Sequence, residues 1–424
     1  MCCKRVMDLL EEIHQRIIER SQEVEGWIEK HSRRVRVPLY TSVDLRASSY
    51  KIAPVDTNVF PAGFNNLCPV FRERTAALFK DYFHRNYPYV QNILIVPELL
   101  TRNLYYWENI FVLKTILESV GFKVEIGLVS DEMRDDVIKF RTAGGKELRC
   151  YKIRRKEDQV FISHFVPDLL LINNDFSLKC PEILKNIRQP VDPPVEIGWH
   201  SRRKNIHFEF YNNLAVELAK ILEIDPWIIT VETVLERDID FDSEQDRNRL
   251  ADKVDLMIDM LENEYKRRKV EQKPFVFVKS NSGTYGMAVI SVSSGEEIRK
   301  LNAEGRKRMR VTKSGKPVRD VVIQEGIPTS IKDTNNVVGE PVVYLVEAKV
   351  AGGFLRLNRE KTEFDNLNTR GMEFVCISFG REGACERKEC EGFFPAAYQV
   401  VSRVASIAAG YEIEKVIKEG ACRD

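Results

Sequence analysis

The residues best placed to do chemistry lie in Phe275-Val-Phe-Val-Lys-Ser-Asn-Ser-Gly-Thr-Tyr-Gly-Met-Ala-Val-Ile-Ser-Val292. Two alternating, β-branched runs flank a Ser/Gly-rich loop, so both are expected as strands. Gly283 and Gly286 allow a backbone in which successive N–H groups turn inward and hold phosphate oxygens. Lys279, where the first strand meets the loop, supplies a compact positive charge for the same phosphates, with Ser280 and Ser282 beside it. No Gly-Lys-Ser/Thr leads into a helix, so this is not a Walker A loop. From these residues alone, an ordinary hairpin with a Ser/Gly turn reads equally well.

A second set lies near the start of the chain. Arg46, Lys51, Asp56 and Asn58 combine cations, an acceptor and an amide. A zwitterionic amino acid needs such a set, Arg or Lys for its carboxylate and Asp for its ammonium. Alternatively, Asp56 and Asn58 build turns beside Pro54 and Pro61. Arg202, Arg203 and Lys204 form a cation cluster suited to carboxylate or phosphate, or a solvated basic turn. His200 and His207 read more readily as packed or hydrogen-bonded histidines than as catalysts.

Bulk properties exclude several classes. Apolar residues make up 43% of 424, enough for a core, and 30% are charged, as in water-soluble globular proteins. The net charge of +1 gives no global field for nucleic acid or an anionic membrane. No apolar run approaches the ~18 residues that span a bilayer, and residues 1–30 carry charges throughout, unlike a signal peptide. The nine cysteines are odd in number and scattered. A cytoplasmic protein with reduced thiols is therefore expected. Cys376, Cys385 and Cys390 lack the paired spacing of a zinc site.

These groups need elements to hold them. Apolar positions over residues 4–30 predict one amphipathic helix, and residues 36–70, rich in Pro, Asn and Gly, read as irregular. An α/β rhythm follows: strands at Asn92–Val96, Lys123–Val129, Glu147–Ile153 and Asp168–Ile172, with a helix over Leu104–Val120. That alternation predicts a mainly parallel sheet with ligands at the carboxyl ends of its strands. Helices are expected over Asn212–Leu222, Gln245–Lys269 and Ala396–Ala409. Strands are expected at Asp320–Glu325, Val342–Val346 and Lys349–Leu357.

Several segments occur together in one order. A lysine before the glycine loop with strand on both sides resembles the phosphate-covering hairpin of the ATP-grasp ligases. Val322-Ile-Gln-Glu-Gly-Ile327 resembles their adenine-recognising hinge. Pro341–Val346, Lys349-Val350, Gly353-Phe-Leu-Arg356 and Asp365-Asn-Leu-Asn-Thr-Arg-Gly371 follow as in glutathione-synthetase-like ligases. Val43-Asp-Leu-Arg46, Tyr50–Leu67 and Gly198–Phe208 resemble a bacterial glutamate–cysteine ligase family. The likeness covers nearly the whole chain.

The resemblance implies an ATP-grasp fold preceded by an α/β domain with a mainly parallel sheet. The implied division is an N-terminal helix (1–35), a substrate domain (36–200), a helical connection (201–270) and a nucleotide-binding domain (271–424). The implied reaction is ATP-dependent joining of the glutamate γ-carboxylate to the cysteine amine through an acyl phosphate, the first step of glutathione biosynthesis. Lys279, Ser280, Ser282, Gly283, Gly286, Gln324, Glu325 and Ile327 would bind ATP, and Arg356 with Lys279 would act on the transferred phosphoryl group. Arg46, Lys51, Asp56, Asn58, Arg202 and Arg203 would bind substrate. Magnesium is expected with ATP. The family's Glu-x-Asn pair does not follow the last expected helix, which leaves Asp365, Asn366 and Asn368, with Glu325 or Glu347, as its ligands. Expected partners are glutamate, cysteine and ATP, with neither nucleic acid nor membrane. Another ATP-grasp carboxylate–amine ligase and a nucleotide-binding regulator without turnover remain as alternatives.

Overall fold

The computed structural model describes residues 2–420 apart from 100–101, 132, 284–287, 311–316, 334 and 377–394, and leaves out the side chains of 2–8. Gly286, Cys385 and Cys390 lie outside the described residues. The chain opens with α1 (Cys2–Glu19) and α2 (Ser21–Arg34). The single expected helix is broken at Arg20, whose φ of −110° and ψ of 22° are not helical. Helix α2 buries Val24, Trp27, Ile28 and His31, one stripe at helical spacing.

Residues 36–70 are not irregular. They contain β1 (Tyr40–Ala47) and β2 (Ile52–Asn58), paired antiparallel. Every residue of β1 is buried, so the strand faces protein or cavity on both sides and lacks the alternation that marks a half-exposed strand. A register shift at Asp44/Leu45 further blurs the pattern.

Next come α3 (Pro69–Asn86), β3 (Asn92–Pro97), α4 (Leu104–Glu118), β4 (Lys123–Leu128), β5 (Val137–Arg141), β6 (Glu147–Lys152), the small hairpin β7 (Arg154–Lys156) and β8 (Gln159–Phe161), β9 (Leu169–Asn173) and β10 (Val191–Asp192). One sheet has the order β10-β9-β3-β4-β6-β5. Its pairings are parallel except β5 with β6, as the α/β rhythm predicts. Helix α4 starts where the Asn103 side chain accepts a hydrogen bond from Tyr106 N.

Helix α5 (Lys204–Leu222) begins eight residues before the expected Asn212. Its basic start opposes the helix dipole, but Asn281 caps it from another segment. Lys204 N donates to Asn281 O (2.8 Å) and Asn205 N to Asn281 Oδ1 (3.0 Å). No local pattern could announce that cap. There follow β11 (Thr233–Glu236), α6 (Glu244–Arg268), β12 (Val276–Ser280), β13 (Val289–Val292), α7 (Gly295–Arg299), α8 (Ala303–Arg310) and β14 (Val321–Glu325). Strands β11-β14-β12-β13 form an antiparallel sheet. Helix α6 packs on it through Leu250, Val254, Met257, Ile258 and Leu261.

The last described elements are β15 (Ile331–Lys332), β16 (Val338–Val346), β17 (Lys349–Asn358), β18 (Met372–Cys376) and α9 (Ala396–Lys418). Helix α9 runs past Ala409 with Gly410 inside it, at a close approach where a Cβ would come within 3.1 Å of Arg36 O. Strands β1 and β2 join β16, β17 and β18 in the order β18-β17-β16-β1-β2, with β15 beside β16. The two ends of the chain thus share one antiparallel sheet. No described helix is long and apolar enough to cross a membrane.

A fully buried ion pair fastens Lys51, the residue before β2, to Glu325 at the end of β14. Lys51 Nζ donates to both carboxylate oxygens of Glu325 at 2.8 and 2.6 Å and lies 4.3 Å from the Trp227 ring centre. Removing one partner strands a buried charge, so Lys51→Met should lower unfolding free energy by ~3–5 kcal/mol. Lys51→Met with Glu325→Leu should recover most of that in urea titrations. Equal losses in the single and double variants would show that the pair is not what matters there.

Candidate active site

A cavity of about 1140 Å³ opens between the two antiparallel sheets. From the smaller sheet come Phe277, Lys279, Val289 and Gln324, and from the larger Asp44, Arg46, Asp56, Asn58, Glu340, Val342 and Arg356. Period-2 spacing puts Asp44 and Arg46 on one face of β1, and the register sets Glu340 opposite Arg356 and Asp44 opposite Asp56. A row of charges therefore floors the cavity.

These charges are balanced. Arg356 NH1 donates to Asp44 Oδ2 at 2.9 Å and to Glu340 Oε1 at 2.7 Å. Arg46 Nε lies 2.7 Å from Glu340 Oε2, an ion pair in which the N–H is not aimed at the oxygen. Arg46 also donates to Glu363 O (3.0 Å) and Asp365 O (2.6 Å). Burial pushes the Asp44 carboxyl up and Arg356 pulls it back, while Glu340 adds to the rise. Burial opposes the Arg356 charge, but Asp44 and Glu340 outweigh it and raise its pKa.

Lys279 reaches into the cavity and donates to Val55 O and Gln324 Oε1, both at 2.7 Å. Burial, with the nearby Lys204 charge, lowers its pKa to about 7. Asp56 pairs with Lys204. Burial alone would raise the Asp56 pKa, but Lys204 and Lys279 hold it at about 2. Lys204 itself stands 4.8 Å from the Trp199 ring centre.

The Ser/Gly loop is built around that tryptophan. A Cβ on Gly283 would fall 2.1 Å from the Trp199 ring, so the glycine makes room for an indole. Ser280 lines the cavity, and its hydroxyl lies 3.2 Å from that of Ser282. On β14, Glu325 N donates to Glu232 O and Gly326 N to Phe275 O, both within the protein. Ile327 is fully buried.

Other expected residues are placed elsewhere. Lys51 and Glu325 are spent on each other. Arg202 is buried against Glu412 through Nε (3.0 Å) and NH2 (2.7 Å), and Arg203 turns to the carbonyls of His200 and Arg202. The Asp365 carboxylate accepts from Thr362 N and Oγ1, whereas Asn366 and Asn368 line the cavity. Glu347 pairs with Arg85. His207 lies 3.4 Å from Glu412, its pKa lowered by burial, and His200 Nδ1 lies 2.9 Å from Phe176 O. Among the described residues no group of three or more His, Cys, Asp or Glu could hold a metal ion.

Asp44, Glu340, Trp199 and Asn358 were not anticipated. Asp44 carries a signal, since it sits two residues before Arg46 on the same strand face. Asn358, fully buried, donates to Thr369 Oγ1 (3.2 Å) and Arg370 O (3.3 Å) and holds the 366–371 loop at the cavity.

A family profile for glutamate–cysteine ligase matches residues 14–413. A solved structure from Methylobacillus flagellatus KT, provisionally assigned as a gamma-glutamylcysteine synthetase, is 33% identical, with a TM-score of 0.84 and 96% of each chain covered. A D-cycloserine synthetase (11% identity, TM-score 0.38, 76% of this chain and 82% of that one) and the D-alanyl-alanine synthetase A of Vibrio cholerae (9%, 0.35, 76% and 81%) are far more distant. Among curated proteins, none matches.

The buried lysine makes a testable statement about pH. A polyphosphate bound against Lys279 would favour its charged form and raise its pKa, so binding above pH 7 would take up a proton. Affinity for an ATP analogue should be full below about pH 7 and decline from pH 7 to 9. Calorimetry in buffers of different ionisation enthalpy should detect the uptake, and Lys279→Met should abolish it. Uptake that persists in Lys279→Met would assign the proton to another group.

Proposed function

The chain belongs to the glutamate–cysteine ligase family, and on that premise we propose that its reaction runs in the cavity between the two antiparallel sheets. The reaction is ATP-dependent joining of glutamate to cysteine. The observation that carries this placement is the convergence of Lys279 and Arg356 on one cavity from separate sheets. An ATP-grasp arrangement has this form, a nucleotide gripped between two sheets. Phe277, Val289 and Val342 offer an apolar slot for the base. Residues 271–424 supply most of the nucleotide side and 36–200 the substrate side, with β1 and β2 reaching across.

In this reading the γ-carboxylate of glutamate attacks the γ-phosphorus of ATP. ADP leaves and an acyl phosphate remains; the cysteine amine then attacks the acyl carbon and phosphate departs. Phosphoryl transfer needs little covalent help, so positioning and charge neutralisation do most of the work. Lys279 and Ser280 hold phosphate oxygens. Arg356, released in part from Asp44 and Glu340, neutralises charge on the transferred group. Asp56 and Asn58 face the amino-acid substrates, while Lys51 and Arg202 hold buried ion pairs with Glu325 and Glu412 outside the cavity lining.

Magnesium would draw on the Asp44 and Glu340 carboxylates, which Arg356 and Arg46 engage, and on the Asn366 and Asn368 amide oxygens, all of which line the cavity. When bound with ATP, the ion would supply further charge neutralisation at the phosphates.

Purified protein given magnesium, ATP, glutamate and cysteine should form γ-glutamylcysteine with one ADP and one phosphate per dipeptide. AMP and pyrophosphate would contradict the acyl-phosphate route. Arg356→Ala should lower kcat by roughly a hundredfold or more, the scale of losing one donor aimed at transition-state charge. A kcat within about twofold of the parent would remove Arg356 from the reaction, because a lost charged hydrogen bond costs more than that.

A further inference from the structure

Two thiols meet where loop and strand reach the cavity rim. Cys68 precedes α3 and follows Asn65 and Asn66, which line the cavity. Cys376 ends β18, whose exposed Met372, Glu373 and Phe374 line it too. The register sets Cys376 opposite Phe354 on β17. Phe71, in the first turn of α3, lies so close to Gly352 of the same strand that a Cβ there would meet its ring at 2.4 Å. Helix start and strand end are thus held together independently of the sulfurs. The Cys68 thiol hydrogen-bonds to Cys376, which, with burial, raises the Cys68 pKa. Both side chains are half-buried and open to a small reagent, unlike Cys150 and Cys180, which are buried.

We propose that Cys68 and Cys376 form a covalent modification site for small disulfides, whose product is a Cys68–Cys376 disulfide that slows the enzyme. Cys376, at the end of β18, attacks first as its thiolate. That thiolate attacks one sulfur of the small disulfide, whose S–S bond breaks, and the departing thiolate takes up a proton. Cys68 then loses its proton and attacks the Cys376 sulfur, expelling the second small thiol. Two protein thiols are oxidised and one small disulfide is reduced to two thiols; no other reactant is needed.

A disulfide of about 2.05 Å is shorter than any thiol–thiol contact. Closing it draws β18 toward the start of α3 and shifts both segments at the cavity rim. A displacement of about 1 Å near a reaction site can cost up to roughly a hundredfold in rate.

The test treats the full chain with bis(2-hydroxyethyl) disulfide and maps unreduced peptides by mass spectrometry. The expected result is a Cys68–Cys376 cross-link, an ADP-release rate reduced by roughly tenfold, and recovery with dithiothreitol. Cys68→Ser should instead accumulate a stable adduct on Cys376. A map with Cys68 and Cys376 unlinked, or a linked protein of unchanged rate, would overturn the proposal. Only the rate arm rests on the proposed function. If untreated protein releases no ADP with glutamate and cysteine, that reading fails and the peptide map alone decides the modification site.

Discussion

Everything at the site depends on one pairing, that of β1 with β16. It brings Asp44 and Arg46 beside Glu340 and Arg356 across a sequence separation that no local interaction could bridge. Burying four charges is tolerable only because each carboxylate faces a guanidinium. The consequence is a row of fixed charges whose positions follow from strand register. A one-residue slip would turn every member of β1 to the other face.

The smaller sheet is tied to this floor by polar groups from a third region. Asn281, directly after β12, caps α5, and the first residue of α5, Lys204, pairs with Asp56 on β2. Trp199 fills the space that Gly283 leaves. Loop, helix start and strand are therefore positioned together, and Lys279 projects between them. Its lowered pKa follows first from burial and then from the neighbouring Lys204 charge. The lysine is thus poised to regain charge when an anion arrives.

The sequence carried much of this, unevenly. The parallel sheet was legible because β3, β4 and β9 are short apolar runs separated by helical patterns. Lys279 and Ser280 stood out at the end of an expected strand, whereas Arg356 was pointed to only by the family resemblance; all three line the cavity. By contrast, β1 was hidden because burial on both faces erases its alternation. The start of α5 was hidden because its cap lies in Asn281, distant in sequence. Lys51 and Arg202 read as substrate cations because a sequence shows a charge without its partner. Glu325 and Glu412 supply those partners only once the chain has folded.

The cavity between the sheets is proposed to hold the triphosphate over the Asp44–Arg356–Glu340 row. A crystal structure with magnesium, a non-hydrolysable ATP analogue and glutamate tests it most directly. Phosphate oxygens are expected in contact with both Lys279 and Arg356, with the glutamate γ-carboxylate facing the terminal phosphorus. A nucleotide bound outside this cavity, or one whose phosphates touch neither residue, would contradict it.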